Sequence, residues 1–134
     1  MNSSGSYIMY IKKANDDFEV ANTLLSQIKP KVDIICFHFQ QFVEKYLKAY
    51  LVFKGIEPFK THRIAYLLKE CIKVDTEFDK FSESDIIELT DCAVMVRYEG
   101  TEEIDIEFIK ELLPVLNDFK IFLEIKINYT IQDF

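Results

Sequence analysis

Apolar side chains recur every three or four residues along most of this chain, the spacing that gathers them on one face of a helix. A first helix is expected over about residues 6–27, with Ile8, Ile11, Ala14, Phe18, Ala21 and Leu25 on its stripe and Lys29 and Pro30 ending it. A second, over about 32–54, sets Ile35, Phe39, Phe42, Val43, Tyr46, Ala49, Tyr50 and Phe53 on one broad face. Gln41, Glu44, Lys45 and Lys48 fall on the other. Gly55 suits the residue just beyond its C-terminus. Thr61 is the expected cap of a short third helix carrying Ile64, Leu67, Leu68 and Cys71, and a looser stretch over 74–81 follows. Ser82 or Ser84 opens a fourth helix with Ile86, Leu89, Ala93 and Val96 on one side and Arg97 in its last turn. A fifth, over about 104–127, repeats Phe108, Leu112, Val115, Phe119, Phe122 and Leu123. Pro114 inside it predicts a kink near 110–114 or a restart. The expected fold is all-α: an up-and-down bundle of four long helices plus one short one, a single domain over 1–134 with its core at about 6–127.

Composition narrows the class. With 49% hydrophobic, 14% aromatic and 29% charged residues, the chain is too apolar to stay disordered and too polar for a membrane-embedded protein. No window is long and apolar enough to span a bilayer, and the N-terminal stretch lacks the pattern of an export leader. Cys36, Cys71 and Cys92 each sit within an apolar periodic stretch, which predicts buried thiols in a reducing compartment, the cytoplasm. The net charge of −7 disfavours indiscriminate binding to nucleic acid, yet it is unevenly spread: residues 1–80 carry +2 and residues 81–134 carry −9. The stretch 45–73 is the basic region, so an anion has one place to go.

The run Phe37-His38-Phe39-Gln40-Gln41-Phe42-Val43-Glu44-Lys45-Tyr46-Leu47-Lys48-Ala49 resembles the second-helix signature of HEPN domains (higher eukaryotes and prokaryotes nucleotide-binding). Thr61-His62 with Leu67-Leu68 after it, and Arg97-Tyr98, follow in the order that family requires, so the resemblance covers about residues 7–125. It implies a helical bundle that dimerises, with a cleft near the end of the fourth helix. It also implies an RNase toxin paired with a minimal nucleotidyltransferase, or a form that is not catalytic. The family's RNases carry an arginine followed, after four to six residues, by a histidine. Here Glu102, Glu103 and Ile104 occupy those offsets from Arg97, and Leu68, Lys69 and Glu70 occupy them from Arg63. The resemblance is therefore to an Arg-Tyr type without the RNase motif, and the histidine that would move a proton near neutral pH is missing from its place.

The candidate residues each have two readings. Arg97 and Tyr98 suit a phosphate and a base, or a helix C-terminal cation and a packing tyrosine. Lys45 and Lys48 suit anion contacts, or a solvated face in which Glu44 pairs with Lys48. Gln41 and Glu44 suit hydrogen bonds within the bundle or across a dimer. His62 suits phosphate binding at the start of the third helix, or a tie between loop and bundle; His38 is assigned no role. Zinc is set aside, since Cys36 and His38 point apart on a helix; the acidic stripe Asp85, Glu88 and Asp91 reads as solvated, and no cofactor is implied. Three functions remain: a nucleotide- or partner-binding module without RNase activity, an RNase toxin using an atypical base, and a homodimeric interaction domain with no ligand. The partners in view are a second copy, a nucleotidyltransferase-like protein, and a nucleotide or RNA, with no membrane.

Overall fold

A computed structural model describes residues 3–90 and 106–127, with side chains described from Tyr7 onward. Its helices are α1 (Ser3–Leu25), α2 (Val32–Phe53), α3 (Ile64–Val74) and α4 (Ile106–Ile127), and no strand occurs among the described residues. The fold is the all-α bundle that the periodicity predicts. No described helix is long and apolar enough to cross a membrane.

Helices α1 and α2 pack side by side and antiparallel: Tyr7 meets Phe53, while Phe18 further along α1 meets Phe39 and Phe42, earlier on α2. Helix α4 also lies against α2, where Phe119 meets Phe42 and Tyr46 edge-on, and Phe42 touches both α1 and α4. Helix α3 packs on α2 as well, so α2 is the central rod. This is why Leu47 and Leu51, outside the single face read from sequence, are fully buried. In α3 the buried set is the predicted one, Ile64, Leu67, Leu68 and Cys71.

Gly55 ends α2 as expected, with φ at 78°. Its N–H donates to the Val52 carbonyl (2.9 Å) and that of Ile56 to Leu51 (2.8 Å), the paired bonds that satisfy carbonyls orphaned at a helix end. Three details differ from the sequence reading. Thr61 does not cap α3: its hydroxyl accepts from Arg63 N–H, and the first helical N–H, that of Ile64, donates to Thr90 Oγ1 from a later segment. The stretch after α3 is not loose; Thr76–Phe81 forms a 3-10 helix, because Phe78 and Phe81, three apart, both reach the core. The next element opens as a 3-10 turn, Asp85–Ile87, becomes helical at 88–90, and then leaves the described residues; its Ala93 and Val96 lie outside them.

The last helix does not restart at Pro114, which lies within α4 on its exposed side. There water reaches the Lys110 carbonyl that a proline four residues on cannot serve. Near the C-terminal end of α4, Lys126 Nζ reaches back to Asp75 (2.7 Å) and Glu77 (3.2 Å), joining it to the turn after α3. The expectation of three buried thiols holds at Cys71, a free thiol whose pKa burial pushes far up, and fails at Cys36, which is buried but disulfide-bonded. Cys92 lies outside the described residues.

Candidate functional site

The polar side of α2 is not a solvated face. Glu44 is 3% exposed and Gln40 4%, so of the two readings left open the hydrogen bonds of Gln41 and Glu44 within the bundle hold and the solvated pair of Glu44 with Lys48 does not. The reason is local geometry: the connection between α2 and α3 folds back over α2 and closes on these two residues. Gln40 Nε2 donates to the His62 carbonyl (2.8 Å) and to Glu44 Oε1 (3.2 Å), while His62 Nδ1 lies 2.9 Å from that same carboxylate oxygen. Lys48 Nζ approaches the other oxygen, Glu44 Oε2, at 3.5 Å. Gln41 completes the cluster by donating to Gln40 Oε1 (3.0 Å). A buried carboxylate is tolerable only when paired and hydrogen-bonded, and here three side chains share that work.

A second cluster sits one step around α2, toward α1. Asp17, also buried, has His38 Nδ1 at 2.8 Å from Oδ1 and Lys45 Nζ at 2.6 Å from Oδ2. The chain's two histidines are thus held alike, each through Nδ1 by a buried carboxylate that also binds a lysine. An ionised carboxylate only accepts hydrogen bonds, so both rings carry hydrogen on Nδ1 and leave Nε2 for another partner. A ring fixed in tautomer and orientation in this way is poised to donate to an anion when protonated, or to accept a proton when neutral. His62 is the accessible one, with 82% of its side chain exposed; the His38 side chain is 24% exposed.

Of the five site residues expected from sequence, the structure brings Lys48 and His62 together on Glu44 and places Lys45 in the neighbouring cluster on Asp17. Arg97 and Tyr98 lie outside the described residues. Sequence reasoning passed over Asp17, Gln40 and the role of His38. Asp17 carried a signal, since it falls three after Ala14 and four before Ala21, on the buried stripe of α1. Gln40 and Glu44, four apart, had one too. Elsewhere, a depression on α1 lined by Asp16, Glu19, Val20, Thr23 and Leu24 holds two acids on its rim and does not involve the α2 clusters. No group of three or more metal-ligating side chains occurs among the described residues, and Asp91 of the proposed acidic stripe lies outside them.

The run from Gln40 to Lys48 therefore builds the polar centre of the fold, and the histidine after Thr61 closes it. A family model described as HEPN domain matches residues 7–126. No curated protein and no solved structure matches the chain.

Proposed function

Because the chain belongs to the HEPN domain family, we propose that it is a nucleotide- or partner-binding helical module lacking the family's RNase chemistry. The observation that carries this reading is the Glu44 cluster: an exposed imidazole, oriented by a buried carboxylate, with a lysine on the same carboxylate. Such a set is suited to the charge of a phosphate group, since His62 adds a hydrogen-bond donor without requiring a new buried charge. Lys45 contributes less, because a phosphate would compete with Asp17 for it. Arg97 and Tyr98 complete the proposed set as phosphate clamp and stacking ring. A thermal shift series over a nucleotide panel tests the reading. Stabilisation that His62→Gln and Arg97→Ala each weaken supports it; indifference to every nucleotide removes it and leaves a pure interaction domain.

A second reading, an RNase with an unusual base, is favoured by the same histidine. The group that moves a proton is absent from its expected place after Arg97, yet an oriented imidazole is supplied by the loop before α3. That reading expects growth arrest on expression, relieved by His62→Gln. Harmless expression with intact RNA in vitro eliminates it.

The proposal includes a homodimer and a nucleotidyltransferase-like partner encoded nearby, checked by solution mass and by the neighbouring reading frames. It also includes a cytoplasmic setting. The free Cys71 supports that setting and the Cys36 disulfide counts against it, so thiol counting by mass on protein taken directly from cells decides the point.

A further inference from the structure

The exposed histidine of the Glu44 cluster has one ring nitrogen in use and one to spare. His62 Nδ1 lies 2.9 Å from Glu44 Oε1, and no bond reaches its Nε2 among the described residues. With the ring hydrogen on Nδ1, the lone pair belongs to Nε2, and most of the side chain is open to water. Further contacts hold the ring in place. Gln40 Nε2 donates to the His62 carbonyl (2.8 Å), pinning the backbone to α2, and to the same Glu44 oxygen (3.2 Å). The Arg63 N–H donates to Thr61 Oγ1 (3.1 Å), closing the turn around His62. Lys48 Nζ, 3.5 Å from Glu44 Oε2, balances the carboxylate from its other side.

A neutral imidazole oriented through one nitrogen, with the other open, is a nucleophile. When Nε2 forms a bond the ring becomes cationic, and the Glu44 carboxylate already stands where that charge develops. We infer that His62 is a phosphorylation site: its Nε2 takes a phosphoryl group from a small-molecule donor that holds it in an acyl-phosphate or phosphoramidate bond. Glu44 is the positioning residue. Charge favours a phosphoryl group, because His62 lies in the basic stretch 45–73, which draws an anionic donor to it. In-line displacement at phosphorus then asks the protein for orientation and charge balance alone.

In the transfer, the Nε2 lone pair attacks phosphorus and the Nε2–P bond forms as the bond from phosphorus to the leaving group breaks. The electron pair of that bond leaves with acetate from acetyl phosphate, or with ammonia from phosphoramidate protonated on nitrogen. Nothing is oxidised or reduced. The Nδ1 hydrogen stays between ring and Glu44, so the product is a phosphorylated imidazolium facing a carboxylate. His38 is the internal comparison. Asp17 holds its Nδ1 in the same way (2.8 Å), but the ring is largely covered and packs edge-on against Phe37, leaving little room for a tetrahedral phosphoryl group.

The test incubates the full chain with phosphoramidate and, in parallel, with acetyl phosphate, beside N-acetylhistidine amide as a free imidazole. Intact mass reads uptake, peptide mapping reads the residue, and phosphorus NMR reads which nitrogen is bonded. One phosphoryl group is expected, on His62 at Nε2, gained about tenfold faster than by the free imidazole. His62→Gln takes none. Glu44→Gln, which keeps the shape of the side chain, slows the reaction about tenfold, as loss of an orienting carboxylate does for functional histidines. Should that variant not fold, the bonded nitrogen and the rate relative to free imidazole decide in the wild-type chain. Reaction with either donor supports the site, and reaction with only one names its donor class. No uptake from either, a rate equal to that of the free imidazole, bonding at Nδ1, equal labelling of His38, or an unslowed Glu44→Gln overturns the proposal. Nucleotide binding leaves the ring chemically unchanged, so that reading stands or falls by its own measurement.

Discussion

Glu44 shows how much one side chain can organise once it is buried. Its carboxylate has His62 and Gln40 on one oxygen and Lys48 near the other, so its removal leaves three polar groups without their partner. Leaving buried donors unsatisfied costs about 1–3 kcal/mol, and Glu44→Ala is expected to lose that amount in a urea titration. Glu44→Gln, which preserves shape and one acceptor, should lose less. Equal losses would mean that packing rather than the charged cluster sets the cost. Gly55 is a simpler case: a Cβ there meets nothing within 4 Å, yet φ is 78°. Gly55→Ala should therefore destabilise by about 1 kcal/mol through backbone conformation alone. The glycine was legible from sequence, because a lone glycine after a long apolar stripe has few other uses. The burial of Glu44 was legible only as one of two readings, hydrogen bonds within the bundle against a solvated face. Its helical position puts it opposite the apolar face, and only the return of the chain at His62, eighteen residues later, covers it.

Helix α4 sets the same contrast at the level of an element. Its period was plain in the sequence, and its six buried residues, Ile109, Leu112, Leu116, Phe119, Leu123 and Ile127, follow that period through Pro114 without a break. The predicted restart weighed the lost backbone bond but not the surroundings: Leu116 and Phe119 are buried on one side of the helix, while the proline faces water on the other. The bond is still missing. Pro114→Ala restores the N–H for the Lys110 carbonyl and should raise stability by up to about 3 kcal/mol, read as a shift in denaturant midpoint. A lower midpoint would show that the proline ring contributes packing that alanine cannot replace. The 3-10 helix Thr76–Phe81 escaped the sequence reading for a related reason: a three-residue spacing of Phe78 and Phe81 is too short a pattern to stand out beside true helices. The α3 cap escaped it because the capping hydroxyl, Thr90, comes from 26 residues away.

Across the whole molecule, the basic and acidic portions of the chain meet where Lys126, near the end of α4, sits between Asp75 and Glu77. The hydrogen bond from Lys126, and then that from the Glu77 N–H, hold the Asp75 carboxyl below the usual carboxylate range. The same hydrogen bond to Asp75, and then the one to Glu77, raise the Lys126 ammonium above the usual lysine range. A carboxyl depressed in the folded state adds stability that is fully present above its unfolded pKa and is lost as pH falls through its folded one. A raised ammonium adds stability that is present below its unfolded pKa and is lost as pH rises through its folded one. Both contributions are in force at neutral pH. Asp75→Asn removes the charge but keeps an acceptor for the Glu77 N–H, so it isolates the ionic part. The urea midpoint of this variant should trail wild type by a constant margin from neutral pH down to the ordinary carboxylate range, and the two should converge below it. Lys126→Met should trail through neutrality and converge with wild type at strongly alkaline pH, and again in strong acid where its carboxylate partners are protonated. A gap for Asp75→Asn that persists unchanged into strong acid would mean that the pair does not link α4 to the turn after α3 through charge, and that apolar packing of Phe78, Phe81 and Phe122 alone closes that end of the bundle.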